Sequence, residues 1–440
     1  MKYFKEQDER DSEFKFLCYF QRNYHKPKYI NKLLNVIYKL YLEEYGKRSY
    51  GQCSSVIDCV CYNCVKALYK GYDGMYVFRY KNFYNTEVIL NGKKVMFDVG
   101  YKGVINTFDL LEKHGYLTVK KGYNNGVQKE NGYVLFTDSF VDLVNNSIKS
   151  TSLSFKVDNV VVLKDEQKNI IGYRQTKEVK AMIDSMTAYN DFMDGASVVL
   201  DNREIPTEFI RSFSRSSFSL GGRIYSTGQG IQSLSKQERS RLLIDGEVTN
   251  EADIKSLHCA ILYEKKGIVL DEDWDCYANP NMLMGMDSDI VNARRIADPK
   301  FNPARSLFKV AMLIMLNAKD YHSAVMALIQ KYNDDQKKTL DKQEYAGIVD
   351  FDPHFIFNVM KDHNSFISEH FFSDSGIMLQ KVDSDIMWYI LKYCVEHGIP
   401  VLPVHDSVIA PESRIGEVVR VMKEAFKVVV GSNQNCRIEV

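Results

Sequence analysis

The chain has no apolar run of the roughly 18 residues that a membrane-spanning helix needs, and its opening, MKYFKEQDER, is too charged for a signal peptide. These two absences exclude a helical membrane protein and point to the cytoplasm. There is no internal repeat and no low-complexity tract, which excludes a solenoid. Net charge is absent as well, with 57 Lys and Arg against 57 Asp and Glu. A disulfide framework is not expected either, since the nine cysteines are odd in number and mostly scattered. Only Cys53, Cys59, Cys61 and Cys64 cluster, and C-x5-C-x-C-x2-C matches no common zinc module. Residues 54–69 read as an apolar helix in which cysteine serves as a small hydrophobe.

What charge there is lies unevenly. Residues 1–148 hold 22 Lys and Arg against 16 Asp and Glu, so the remainder is acidic by the same margin. A basic front suits a polyanion, and an acidic rear suits bound cations. Residues 1–28 are charged and aromatic without periodicity and read as an arm. Over 29–148 the pattern is helical, then β. Ile30, Leu33, Leu34, Ile37 and Tyr41 make one helical stripe, the cysteine segment a second helix, and Val104, Ile105, Phe108 and Leu111 a third, stopped at His114-Gly115. Residues 86–90 and 94–97 flank the hairpin turn Asn91-Gly92, and strands at 116–121 and 133–137 flank a longer turn. This front resembles the winged-helix domains of plasmid and phage replication initiators. The resemblance implies DNA binding, with the third helix in a major groove and Lys120, Lys121 and Lys129 on phosphates. Residues 149–215 read as a connector or thumb-like element, with strands at 160–163 and 170–173 and a helix over 176–193.

Chemistry concentrates in residues 216–440. In VLPVHDSVIAP two short apolar runs, 401–404 and 407–410, are interrupted by His405 and Asp406, which reads as a hairpin with a carboxylate at its tip. A second carboxylate stands in EADIKSLH, where 248–254 read as a strand with Asp253 at its end and 257–263 as a helix against the sheet. Asp253 and Asp406 together could bridge two Mg2+ ions about 4 Å apart, activating a 3′-hydroxyl and stabilising a leaving pyrophosphate. Glu251, two residues earlier on the same strand face, is placed to assist. A third element is the helix opened by Asn302-Pro303, on which Arg305 and Lys309 stand four residues apart and share a face suited to a triphosphate. The acidic residues of 271–275 read as a solvated loop, and Asp383 and Asp385, on the helix of Gln380, as structural groups or as groups near the site that do not bind metal.

In this order, GGRIYSTGQGIQSL, EADIKSLH, R-x-x-x-K on a helix, a helix containing Gln380, and VHDS resemble the palm and fingers of the family A nucleic acid polymerases. That superfamily joins DNA polymerase I-like enzymes and phage-type single-subunit RNA polymerases. The likeness covers residues 211–440, and with the front domain it extends to phage- and mobile-element-encoded relatives. It implies an α+β fold: a winged-helix-like N-terminal domain, then a right-hand palm and fingers with an antiparallel sheet and covering helices. It further implies that Asp253 and Asp406 bind Mg2+, with Mn2+ as the alternative ion. Arg305 and Lys309 would contact the triphosphate, Lys309 as general acid. Arg223 would grip the primer or template backbone, with Gln380 and His405 near the primer terminus.

The departures bear on the sugar. Five residues after the metal aspartate, where the DNA polymerases place a glutamate and the RNA polymerases a glycine, stands His258. Where both groups place Tyr-Gly stand Asn317 and Ala318, so His258 and Asn317 become the candidate nucleotide contacts. HDS favours the RNA polymerase side, GGRIYS with downstream Gln232 the DNA side, and His258 inclines the choice toward deoxynucleotides. The expectation is a template-directed nucleotidyltransferase that extends a 3′-hydroxyl, first as DNA synthesis in phage or plasmid replication. An RNA polymerase or primase is the alternative, and a non-catalytic DNA-binding initiator or defence factor the second. The partners would be DNA template, primer or RNA product, and nucleoside triphosphates, without a membrane. No acidic exonuclease constellation is present, so proofreading is not expected.

Overall fold

In the computed structural model the described residues are 30–440 without 70–71, 78–86, 91, 97–98, 125–128, 131, 149–159, 202, 228–229 and 278–284. The expected arm over 1–28, and Asn91 of the first hairpin turn, lie outside them.

The apolar stripe from Ile30 to Tyr41 is fully buried. It opens Asn31–Tyr69, two helices joined at Gly46, whose φ of 77° and ψ of 168° suit glycine alone. Gly103 lets the helix Tyr101–Lys113 approach this one, because an added Cβ would stand 3.2 Å from the Cys53 sulfur and 3.3 Å from Val56. Cys59, Cys61 and Cys64 are buried here outside any disulfide, and the Cys64 thiol lies 3.8 Å from the Met75 sulfur. The helix Asp138–Ser147, capped by Thr137, and a three-stranded sheet complete this first core. The sheet order is Gly74–Tyr76, Tyr133–Phe136, Leu117–Lys120, so a third strand joins the two expected. Tyr101–Lys113 differs from a groove-reading helix. Most of its surface is buried, including Val104, Ile105, Thr107, Phe108, Leu110 and Leu111, and its outer stripe carries Asp109 and a Lys113 paired with Glu44.

A second hydrophobic core takes in residues from Val160 to Cys436. Its main sheet runs Arg203–Glu204, Val198–Leu200, Leu243–Ile244, Glu247–Ile254, Ser407–Pro411, Leu402–Val404, and Ile438–Glu439 pairs with the end of Glu247–Ile254. A smaller sheet orders Ser217–Ser226, Phe209–Ser214 and Val161–Leu163, the last pair parallel. The helices Gly376–Glu396 and Ile415–Val430 pack on these sheets. The segment read as a connector is part of this core. Its helix Lys177–Met193 buries Val179, Met186, Tyr189 and Met193, and the Tyr189 hydroxyl donates to the Val401 carbonyl at 2.7 Å. The strand expected at 170–173 does not form, apart from one bridge between Ile170 and Lys164. Asp165 instead closes a turn on Asn169, and the Tyr173 N–H goes to Gly92.

Candidate active site

Register brings the two expected carboxylates together. Asp253, near the end of Glu247–Ile254, pairs with Ser407 on one side and Glu439 on the other. Val404 and Ser407 pair across the hairpin, which leaves His405 and Asp406 as a two-residue tip, His405 at φ 57°. The Ile254 N–H points to the Asp406 carbonyl at 3.4 Å. Adjacent strands lie about 4.8 Å apart, so a residue at a strand end and one at the neighbouring hairpin tip become side-chain neighbours. The chain then turns at Ser256, φ 49°, into the helix Leu257–Lys265, setting His258 in its first turn.

The electrostatics report the same proximity. Burial, and after it the charge of Asp406, pushes the Asp253 carboxyl up to about 7, with Lys309 opposing. Burial and then Asp383 raise Asp406, against Arg223 and His258. Burial, then Arg223, lowers His405. Glu251 behaves differently. Burial works against its ionisation, but two 3.0 Å hydrogen bonds from Arg239 and one of 2.6 Å from Ser407 hold its carboxyl below the usual value. Glu251 therefore ties the hairpin to the central strand and is already partnered.

Arg223 leaves the strand Ser217–Ser226 and binds Asp383 through Nε and Nη2, at 2.8 and 2.7 Å from the same oxygen. His258 Nε2 stands 3.9 Å from that oxygen, buried and without a hydrogen-bond partner. Tyr225, two residues beyond Arg223, meets the His405 ring edge-on at 6.2 Å. The GGR element thus has a geometric reason. Gly222, at φ 85°, leaves no room for a Cβ, which would stand 2.7 Å from the Ser384 hydroxyl. Gln232 sews this strand to the hairpin, donating to the Ile224 carbonyl at 2.9 Å and the Pro403 carbonyl at 3.2 Å.

Asn302 caps the helix Pro303–Asn317. Arg305 is held by Asp275 at 2.6 Å and lies over the Tyr277 ring, so one member of the acidic loop is an ion-pair partner rather than solvated. Lys309, one turn on, is exposed and within electrostatic reach of Asp253. Asn317 is not gathered with these groups. Its amide donates to the Leu313 carbonyl at 2.7 Å, and it packs against Gly376, about 12 Å further along the helix than Lys309. Gln380 is half-buried on Gly376–Glu396, one turn before Asp383. Lys120 and Lys121 are exposed at the end of the strand Leu117–Lys120, in the first core's sheet. Sequence reasoning placed Asp383 near the site at most, without a partner, and did not single out Arg211. The signals available were Gly221-Gly222 before Arg223 and the two acids that flank Ser384 on a largely apolar helix.

Among the described residues no group of three or more His, Cys, Asp or Glu side chains forms a cation cage. The donors at Asp253 and Asp406 nevertheless fit a hard divalent cation. Both are carboxylates short of positive charge, and such ions take their remaining ligands from water and phosphate oxygens.

No family model and no curated protein matches the chain. A solved structure does. The chain is similar to the POL domain of Pol1 from M. smegmatis in complex with DNA primer-template and dNTP, at 13% identity and a TM-score of 0.32. The likeness covers 63% of this chain and 56% of that one, so the chain spans little more than half of that structure's length. No helix among the described residues is long and apolar enough to cross a membrane.

The raised Asp253 gives a pH-dependent test. In the folded chain its carboxyl keeps a proton up to about 7, whereas the ordinary value is 3.8. The stability this proton confers is full below the ordinary value and is lost as pH rises through about 7. A divalent cation replaces the proton, so Mg2+ should raise the unfolding midpoint more at pH 8 than at pH 5. At a hundredfold excess over Kd the gain is about 2.7 kcal/mol, on the order of 4 °C. Differential scanning fluorimetry should show this in the native chain and not in Asp253→Asn.

Proposed function

We propose that the chain is a template-directed nucleotidyltransferase that extends a 3′-hydroxyl with nucleoside triphosphates, in the manner of a family A polymerase palm. The observation that carries the reading is the register that sets Asp253 against Ser407, next to Asp406 at the hairpin tip, with Asp406 and Lys309 both within electrostatic reach of Asp253. Asp253 and Asp406 would hold Mg2+, or Mn2+ in its place. When bound, the ions would lower the pKa of the attacking hydroxyl and neutralise charge on the phosphates. Lys309 supplies a positive charge to the β- and γ-phosphates and a proton to the leaving pyrophosphate. Arg305 joins it on release from Asp275. Arg223 contacts the backbone of the primer–template duplex, and His405 and Tyr225 border the primer terminus. His258 faces the nucleotide sugar.

The same reading divides the chain at 29–148, 149–215 and 216–440, with a DNA-binding front. Since Tyr101–Lys113 offers solvent a narrow, partly acidic stripe, the front's contact with phosphates falls to the exposed Lys120 and Lys121. The test offers labelled deoxy- or ribonucleotides with Mg2+, with and without a primed template. Extension of the primer by deoxynucleotides is expected. Ribonucleotide product without primer would assign a primase or RNA polymerase, and no product under any condition would leave only a DNA-binding role.

A further inference from the structure

We propose that Asp383 is a positioning residue that fixes the Arg223 guanidinium for the backbone of a primer–template duplex. The proposal rests on the function proposed above. Asp383 is 1% exposed, and a carboxylate so deeply buried is costly unless paired. Its partner is an arginine that keeps 22% of its side chain exposed, beside the hairpin tip. One oxygen takes both Nε and Nη2, so two of the guanidinium's donor groups are committed and its plane is fixed. No other protein hydrogen bond is made by Arg223 among the described residues, which leaves Nη1 for a phosphate.

The helix itself is held in register with the Arg223 strand. Ser384 donates toward the Gly221 carbonyl and accepts from Arg211, and Arg211 also binds Asp385 at 2.6 Å. Asp383-Ser384-Asp385 therefore grips the strand at consecutive residues, and each has a separate task. Asp385 and Ser384 answer the fully buried Arg211, while Asp383 answers an arginine that reaches the surface.

The experiment compares Asp383→Asn, Arg223→Met and the double variant for kcat, for KM of primed template and for thermal midpoint. Asp383→Asn should raise KM for the template about tenfold with kcat within about twofold, and Arg223→Met should do the same. The double variant should be no worse than Arg223→Met, because Asp383 acts through that arginine. Multiplying effects, or an unchanged KM in a folded Asp383→Asn, would overturn the proposal. Should Asp383→Asn not fold, Arg223→Lys carries the test. It keeps the charge but loses the two-donor grip, so an unchanged KM there also overturns the idea. If the native chain extends no primed template, the functional reading falls and takes this one with it. If it extends and Asp383→Asn matches it, only the positioning role falls.

Discussion

Asp253→Ala and Asp406→Ala should each lower primer extension by at least about a thousandfold, which is about 4 kcal/mol of transition-state stabilisation. Each substitution would leave a bound cation one carboxylate from two. Glu251 is the closest substitute along the strand, but Arg239 and Ser407 already occupy it. Loss of activity by unfolding is distinguishable, because these changes should act on stability in the opposite direction. Burial raises the proton affinity of both carboxyls, with Asp406 adding to it at Asp253 and Asp383 at Asp406, so at pH 8 without metal Asp253→Asn should unfold at a higher temperature than the native chain. Extension within tenfold of the native rate in either alanine variant would sink the assignment.

Arg211→Ala should destabilise the second core by about 3 kcal/mol, measured by urea unfolding. The Arg211 side chain is 2% exposed. It donates to the Gly222 carbonyl at 2.9 Å, the Ser384 hydroxyl at 3.1 Å and Asp385, and stacks 4.1 Å from the Trp388 ring. Burial pulls its pKa down to about 10, with Asp385 opposing, so it stays charged at neutral pH. Truncation opens a cavity and strips a buried carbonyl and hydroxyl of their donor. Asp385 is 37% exposed and keeps Lys381 as a partner, which holds the cost below that of a fully buried pair. Both tryptophans, Trp274 and Trp388, lie in this part of the chain, so fluorescence reads its unfolding alone. A loss under about 1 kcal/mol would show that the network is not what joins strand to helix.

What was legible in the sequence followed from local signals. The tip of VLPVHDSVIAP, the strand end at Asp253 and the Asn302-Pro303 helix start each rest on a turn or cap whose chemistry is written in neighbouring residues. The helix periodicities between Ile30 and Lys113 held for the same reason. Local signals failed where a distant partner decided the outcome. Ile170 to Tyr173 has strand composition, but after the bridge to Lys164 and the Ile171 N–H bond to Leu163 the Tyr173 N–H goes to the distant Gly92 carbonyl, and no ladder continues. Asp275 looked like one acid among several until Arg305 met it across 30 residues. Asp383 read as a structural or site-adjacent acid, and nothing within a few turns names Arg223, 160 residues away, as its partner. The third helix buries the face that its apolar spacing marks and leaves Lys102, Asp109, Glu112 and Lys113 on the other.

The join between Glu247–Ile254 and the hairpin has a consequence during synthesis. Glu251 and Ser407 are 156 residues apart, and a ribosome adding about 5–20 residues per second needs on the order of ten to thirty seconds to cover that distance. Through that interval the strand emerges with one edge unpaired, a template on which another nascent chain could align. Glu247, Glu251 and Asp253 place three negative charges along it, and like charges on facing strands repel such a match. Acids that tie the strand to its neighbours in the finished molecule, and Asp253 with its proposed chemistry, would thus guard the unfinished one against aggregation.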